Sequence, residues 1–205
     1  MAQKGEMTRE RIVAESERLI LNQGFAGTSL SDILAATGLT KGAFFHHFAD
    51  KDELGRAVLE RYALSDYQLF ETWSREADEL SDDPLERCLI FLRLFEKFLA
   101  GLAEPLGGCV FAAYVYEASN FGPGTTAYIR ERLLLWQKLY EQKFEQLIAV
   151  RSPRLPVTAV QLAEFAVTLV EGGLMMGQAF ADRELLIRQS AQLRNYVQLL
   201  FASPD

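Results

Sequence analysis

The run from residue 28 to 54, TSLSDILAATGLTKGAFFHHFADKDEL, constrains the fold more than any other part of the chain. It holds three helix starts in close succession. Ser29 with Asp32 reads as a capping box, Thr40 as a second cap, and Asp50 with Glu53 as another box. Gly38 stops the first of these helices, which is only about eight residues long and too short to persist in water without packing. Gly38-Leu39-Thr40 then has the length of the turn that joins two helices in a helix-turn-helix. On the second helix, about Lys41 to Phe48, Phe44 and Phe48 recur at i, i+4 as an inward stripe. Lys41, Ala43, Phe45 and His46 are left on faces that the core does not need. A lysine, exposed aromatics and both histidines of the chain on one short helix suit a helix laid in the DNA major groove.

The remaining pattern is helical throughout, with no run of strand alternation. A first helix from about Thr8 to Gln23 places Ile12, Ser16, Leu19 and Ile20 on one face, with Gly24 as its stop and Phe25 folding back beyond it. Asp50 opens a long helix reaching about Glu79. Pro84 starts the next, to about Ala100, with Leu85, Cys88, Leu89, Leu92, Phe95 and Leu99 as a wide apolar stripe. Further helices are expected from Cys109 to Ser119, Thr125 to Val150, Thr158 (boxed with Gln161) to Ala181, and Asp182 to Phe201. The expected fold is all-α, with about nine helices: a three-helix head over residues 1–50 and a six-helix body over 51–205, joined by the helix 51–79.

Composition narrows the function classes. Just under half of the 205 residues are apolar, enough for a substantial core. Two cysteines, Cys88 and Cys109, make no disulfide scaffold and lack metal-ligand spacing. Adjacent histidines on a helix point about 100° apart, so His46 and His47 do not share a metal, and no metal or other cofactor is expected. With both histidines on the exposed short helix and no catalytic motif, an enzyme is not expected. Charges interrupt every apolar run, so no membrane span is expected, and residues 1–10 lack the apolar stretch of a secretory signal; a cytoplasmic protein follows. The net charge of −7 is unevenly spread. Residues 1–61 carry 8 Lys/Arg against 9 Asp/Glu, and the rest 13 against 19, so the acid lies mostly outside the head.

Residues 38–48, GLTKGAFFHHF, followed by Lys51-Asp52-Glu53-Leu54, resemble the signature of TetR/AcrR-family transcriptional regulators. Gly24-Phe25 and residues 28–33, TSLSDI, fit the same family, so the resemblance covers about residues 9 to 60. It implies an all-helical homodimer that represses transcription and leaves its double-stranded DNA operator when a small molecule binds the body. Thr40, Lys41 and His47 are then expected at phosphates, Gly42 at a close backbone approach, and Ala43, Phe45 and His46 at base edges. Thr28 and Ser29 can offer a hydroxyl or amide to the DNA backbone, and Lys51 a cation. The family usually carries tyrosine at position 45, with its hydroxyl on a phosphate. Phe45 lacks that hydroxyl and is expected to contact a thymine methyl instead.

In the body, residues 169–177, LVEGGLMMG, space Gly173 and Gly177 four apart on an otherwise apolar helix, which suits close approach of a facing helix. Leu169, Gly173, Met176 and Gly177, with Leu186, Leu193, Val197 and Leu200 of the last helix, are the expected dimer interface, its two-fold axis matched to a palindromic operator. A cavity for a small apolar or aromatic inducer is expected among Phe91, Phe95, Tyr114, Tyr116, Phe121, Trp136, Tyr140, Met175, Met176 and Phe180, with Glu117 as an orienting polar group. Cys109, after Gly107-Gly108 at a helix start, supports an alternative in which an electrophile or oxidant acts on its thiolate. The resemblance points the same way, because electrophile- and oxidant-sensing members of this family use a similar glycine-cysteine pair.

Overall fold

The computed structural model describes residues 2–103, 106–117, 121 and 123–202. Over these it contains nine α-helices and no strand: α1 Ala2–Gly27, α2 Leu30–Thr37, α3 Lys41–Phe45, α4 Lys51–Leu80, α5 Pro84–Gly101, α6 Val110–Tyr116, α7 Pro123–Ile148, α8 Ala159–Ala179 and α9 Leu185–Phe201. The all-α expectation holds.

The local chemistry of the caps explains most of the boundaries. Ser29 Oγ accepts from the Asp32 amide, and the Asp32 carboxylate takes the Ser29 amide in return at 2.8 Å. Thr158 and Gln161 form the equivalent reciprocal pair at the start of α8. At α4 the return bond shifts by one residue: Asp50 accepts from the Glu53 amide, but Glu53 reaches the amide of Ala49. Gly38 closes α2 in the left-handed region (φ 65°). Gly24 (φ 75°) interrupts α1 where a stop was expected, but one more turn follows it. α3 ends at Phe45 rather than Phe48, because the His47 amide turns to the Phe44 carbonyl in a tighter last turn. The expected end of α6 at Ser119 lies outside the described residues.

The chain divides into two compact units, one of residues 1–66 with 107–132 and the other of residues 67–106 with 133–205. In the first, α1 packs against α2 and α6. Ile12, Ile33, Phe44, Phe48, Leu54, Val58, Phe111 and Tyr114 are all buried there. Arg61 on α4 reaches both Glu10 and Glu17 of α1, a pair of ion bridges that ties the two helices. The second unit is built on α9 against α5 and α8, with an aromatic core of Phe70, Trp73, Phe91, Phe95 and Tyr140. Lys143, almost wholly buried, is satisfied by Asp78 at 2.7 Å and by the Ser74 carbonyl.

One helix, α8, bears on the expectation that no membrane span is present. Its length and its mean hydropathy of 1.3 are those of a helix able to cross a bilayer, because an average over the window tolerates Glu164 and Glu171 where an uninterrupted run does not. Only 28% of that window is buried, so much of this apolar helix faces outward.

Candidate nucleic-acid interface and sensor elements

α3 is positioned from inside. Phe44 and Phe48 are each 1% exposed with ring centroids 5.8 Å apart, anchoring the inner face of the helix and its last turn. Thr40 caps it through the Ala43 amide at 3.2 Å, which uses a lone pair and leaves the hydroxyl hydrogen available. Lys41, Gly42, Phe45 and His46 are exposed, and Ala43 and His47 are half-buried. Phe45 is 45% exposed; it stands edge-on to Phe44, with the Lys41 ammonium 5.9 Å from its ring centre. The imidazoles of His46 and His47 pack edge to face at 5.1 Å, and no acidic or cysteine group joins them in a metal cluster among the described residues. One short surface therefore presents a cation, two imidazoles, an apolar ring and a hydroxyl.

Three expected DNA-facing residues are held elsewhere. Thr28 is fully buried, its hydroxyl donating to the Gly24 carbonyl at 2.7 Å, so its side chain offers nothing outward. Ser29 is exposed, but its hydroxyl donates to Asp32 and accepts from the Asp32 amide, so it is committed to the cap. Lys51 donates to the Phe25 carbonyl and lies 4.2 Å over the Phe25 ring. Partial burial draws its ammonium below the usual lysine range, against the opposing charges of Glu117 and Asp52. Nothing in the sequence distinguished Thr28 and Lys51 from surface groups, because their partners are main-chain atoms, whereas the Ser29 cap is local and legible.

The residues expected around an inducer do not behave alike. Phe91, Phe95 and Tyr140 are buried in the core of the second unit, with Trp136 packed against them. The indole N–H of Trp136 is enclosed without a hydrogen-bond partner. Met175 and Phe180 are 53% and 64% exposed, and Tyr116 is 78% exposed, so these three line no interior. They sit on outward helix faces that apolar composition alone does not reveal. In the first unit, Tyr114 is buried; its hydroxyl, kept protonated by burial, donates to the Gly55 carbonyl at 3.0 Å. Its ring stacks on Phe121 and packs on Phe25. Glu117 accepts the Ala26 amide at 2.6 Å and so is not a free polar group. Cys109 stands at the N-cap position of α6 without a side-chain capping bond and is 8% exposed. Cys88 is sealed in the other unit, and burial pushes its thiol up to about 12.

The residues expected at a self-association surface divide between the core of the second unit and an open groove. Gly173 is filled from within its own chain, since a Cβ there would lie 2.6 Å from Leu186 Cδ1. A Cβ on Gly177 would lie 3.1 Å from the Asp182 carbonyl. The small-residue spacing thus serves the packing of α8 on α9 at Gly173 and on the turn between them at Gly177. Leu186, Val197 and Leu200 are buried in the core of the second unit, as is Leu193, which also forms part of a groove floor with Gly173. Of the expected set, Leu169 and Met176 do reach that open groove of about 590 Å³. Phe165, Gly172, Gln189 and Tyr196, outside the expected set, are also among its walls. Residues 165, 169, 172 and 176 follow helical spacing on a stripe about a quarter-turn round the helix from the buried Leu162, Ala166 and Val170.

Comparison with known proteins agrees with this geometry. Residues 12–58 match the family described as bacterial regulatory proteins, tetR family. The HTH-type transcriptional repressor DhaR of Mycobacterium sp. (strain GP1) is 24% identical over 180 residues, 87% of this chain and 86% of that one. The HTH-type transcriptional repressor NemR of Escherichia coli (strain K12) is 41% identical over 61 residues, 30% of this chain and 31% of its own. Among solved structures, a TetR transcriptional regulator from Chloroflexus aurantiacus J-10-FL superposes with a TM-score of 0.79 at 27% identity, covering 96% of both chains. E. coli NemR in its reduced form has the same fold, with a TM-score of 0.73 at 23% identity over 96% of this chain and 98% of that one.

Proposed function

We propose that this chain, which belongs to the TetR family of bacterial regulatory proteins and is a transcriptional regulator rather than an enzyme, is a repressor that binds a palindromic operator as a homodimer. The observation that carries this reading is the exposed face of α3, with Lys41, Phe45 and His46 outward while Phe44 and Phe48 fix the helix beneath them. The division of labour between a DNA-binding segment over residues 1–50 and a sensing and pairing body over 51–205 is part of the proposal; the compact units are units of packing, not of function. Repression is supported by the relatives, since both DhaR and NemR are transcriptional repressors.

The dimer is supported by the groove between α8 and α9, an apolar channel on a helix that is little buried by its own chain. Two copies related by a two-fold axis bury this surface and set two α3 helices about 34–36 Å apart, one turn of duplex. Release by an inducer needs a ligand with different affinity for the DNA-bound and free states. The aromatic cluster around Trp136, with its unsatisfied N–H, favours an apolar or aromatic ligand carrying a hydrogen-bond acceptor.

Lys41→Ala tests the DNA-binding face. Binding to a fragment from the region upstream of the chain's own coding sequence is expected to weaken, and the slope of log affinity against log salt to fall by about one. Gel-shift titrations at several salt concentrations measure both; an unchanged slope places Lys41 away from phosphate.

The alternative of thiol sensing rests on Cys109 at the start of α6, beside Gly107 and Gly108. It predicts that an oxidant or alkylating agent releases DNA from the native protein and from Cys88→Ser, but not from Cys109→Ser. Release from all three proteins removes it.

A further inference from the structure

The peptide group between Phe25 and Ala26 is gripped on both edges by opposite charges. Its carbonyl accepts from the Lys51 ammonium, at the first position of α4, and its N–H donates to the Glu117 carboxylate, the C-terminal cap of α6, at 2.6 Å. This peptide lies in the elbow that feeds α2. The Thr28 amide also donates to the Phe25 carbonyl, the Thr28 hydroxyl donates to the Gly24 carbonyl, and the next residue, Ser29, is the α2 cap. Two glycines make room for the grip. Gly24 is left-handed at φ 75°, and a Cβ there would collide with Glu117 Oε1; at Gly55 a Cβ would lie 2.6 Å from Phe25 Cε2 and 3.1 Å from the Tyr114 hydroxyl. Tyr114, one turn before Glu117 on α6, enters the Gly55 notch and donates to its carbonyl.

We propose that Glu117 is a positioning residue for DNA binding: α6, through its carboxylate on the Ala26 amide, sets the α1–α2 elbow and with it the placement of the helix-turn-helix. The proposal rests on the DNA-binding reading above and adds a specific point of control to it. α6 is two turns long, so a displacement at its Cys109 end reaches Glu117 as a rigid movement. A charge-assisted bond to a single amide is strong enough to matter and is lost by a small shift. Lys51 thereby takes a part in the elbow in place of a phosphate contact.

The test compares the full-length native protein with Glu117→Ala, Glu117→Gln and Lys51→Met. In the free protein, hydrogen exchange at the Ala26 and Asp32 amides is expected to quicken about tenfold or more in Glu117→Ala, and by less in Glu117→Gln, which keeps a neutral acceptor. Operator affinity is expected to fall about tenfold in Glu117→Ala. Its salt slope is expected to stay that of the native protein, as it should for Lys51→Met, because no phosphate contact is removed. Faster exchange with unchanged affinity would reduce the grip to a structural contact and overturn the proposal. So would unchanged exchange, or a slope reduced by about one in Lys51→Met. Failure of the native protein to bind any upstream fragment defeats the DNA-binding reading, and the Asp32 exchange arm then still decides whether Glu117 governs the α2 cap. If Glu117→Ala does not fold, Glu117→Gln carries the same comparisons at reduced amplitude.

Discussion

Replacing Met176 with lysine, or Phe165 with glutamate, is expected to leave the protein monomeric and to lower operator affinity by about a hundredfold or more. Both side chains line the outward groove of α8 and α9, and both are partly exposed within one chain, at 37% and 45%. Neither side chain belongs to the buried core, although Phe165 packs edge-on against Tyr196 of its own chain. In a paired groove each substitution would bring two like charges, one from each copy, onto an apolar surface, where unpaired charge is not tolerated. The affinity loss follows from connectivity: two linked heads bind one duplex with an effective concentration that a lone head lacks. Sedimentation velocity and gel shift measure the two effects. A Met176→Lys protein that stays dimeric moves the interface elsewhere. A control at Leu186 is expected to behave differently. That residue fills the Gly173 notch, so Leu186→Ala should cost about 2–5 kcal/mol of stability without selectively breaking the dimer.

Phe44→Ala is expected to cost about 3–5 kcal/mol and to abolish operator binding. Phe44 is the most enclosed side chain of α3, and a five-residue helix has no means of persisting once its anchor is gone. The two tryptophans offer a clean readout, since Trp73 belongs to the core of the second unit and Trp136 packs against it. In chemical denaturation followed by far-ultraviolet circular dichroism, part of the helical signal of Phe44→Ala should be lost before tryptophan emission changes. Coincident transitions at the native midpoint would mean that Phe44 is not the anchor.

How far the chain could be read without coordinates depended on whether the partner of each group lay nearby in sequence. The boxes at Ser29/Asp32 and Thr158/Gln161 and the cap at Thr40 are local chemistry, and their helices begin where expected. Phe44 and Phe48 announce their burial through spacing alone. Thr28, Lys51 and Glu117 do not, because their partners are main-chain atoms of Gly24, Phe25 and Ala26, and two of those pairings span 26 and 91 residues. Gly173 and Gly177 show a related limit. Small residues at helical spacing signal a close neighbour, but not whether that neighbour is α9 of the same chain or a helix of another copy. The face of α8 that remains open is legible only once Leu162, Ala166 and Val170 are known to be buried.

One footprint tests the paired α3 helices most directly. Hydroxyl-radical protection of a fragment from the region upstream of the coding sequence, with the protein titrated to saturation, should show two protected half-sites centred about one helical turn apart on one face of the duplex. They should appear together at a stoichiometry of one dimer, and in Lys41→Ala both should appear only at higher protein concentration. A single protected half-site saturated by a monomer, or protection that survives loss of the exposed α3 side chains at unchanged protein concentration, would contradict this reading.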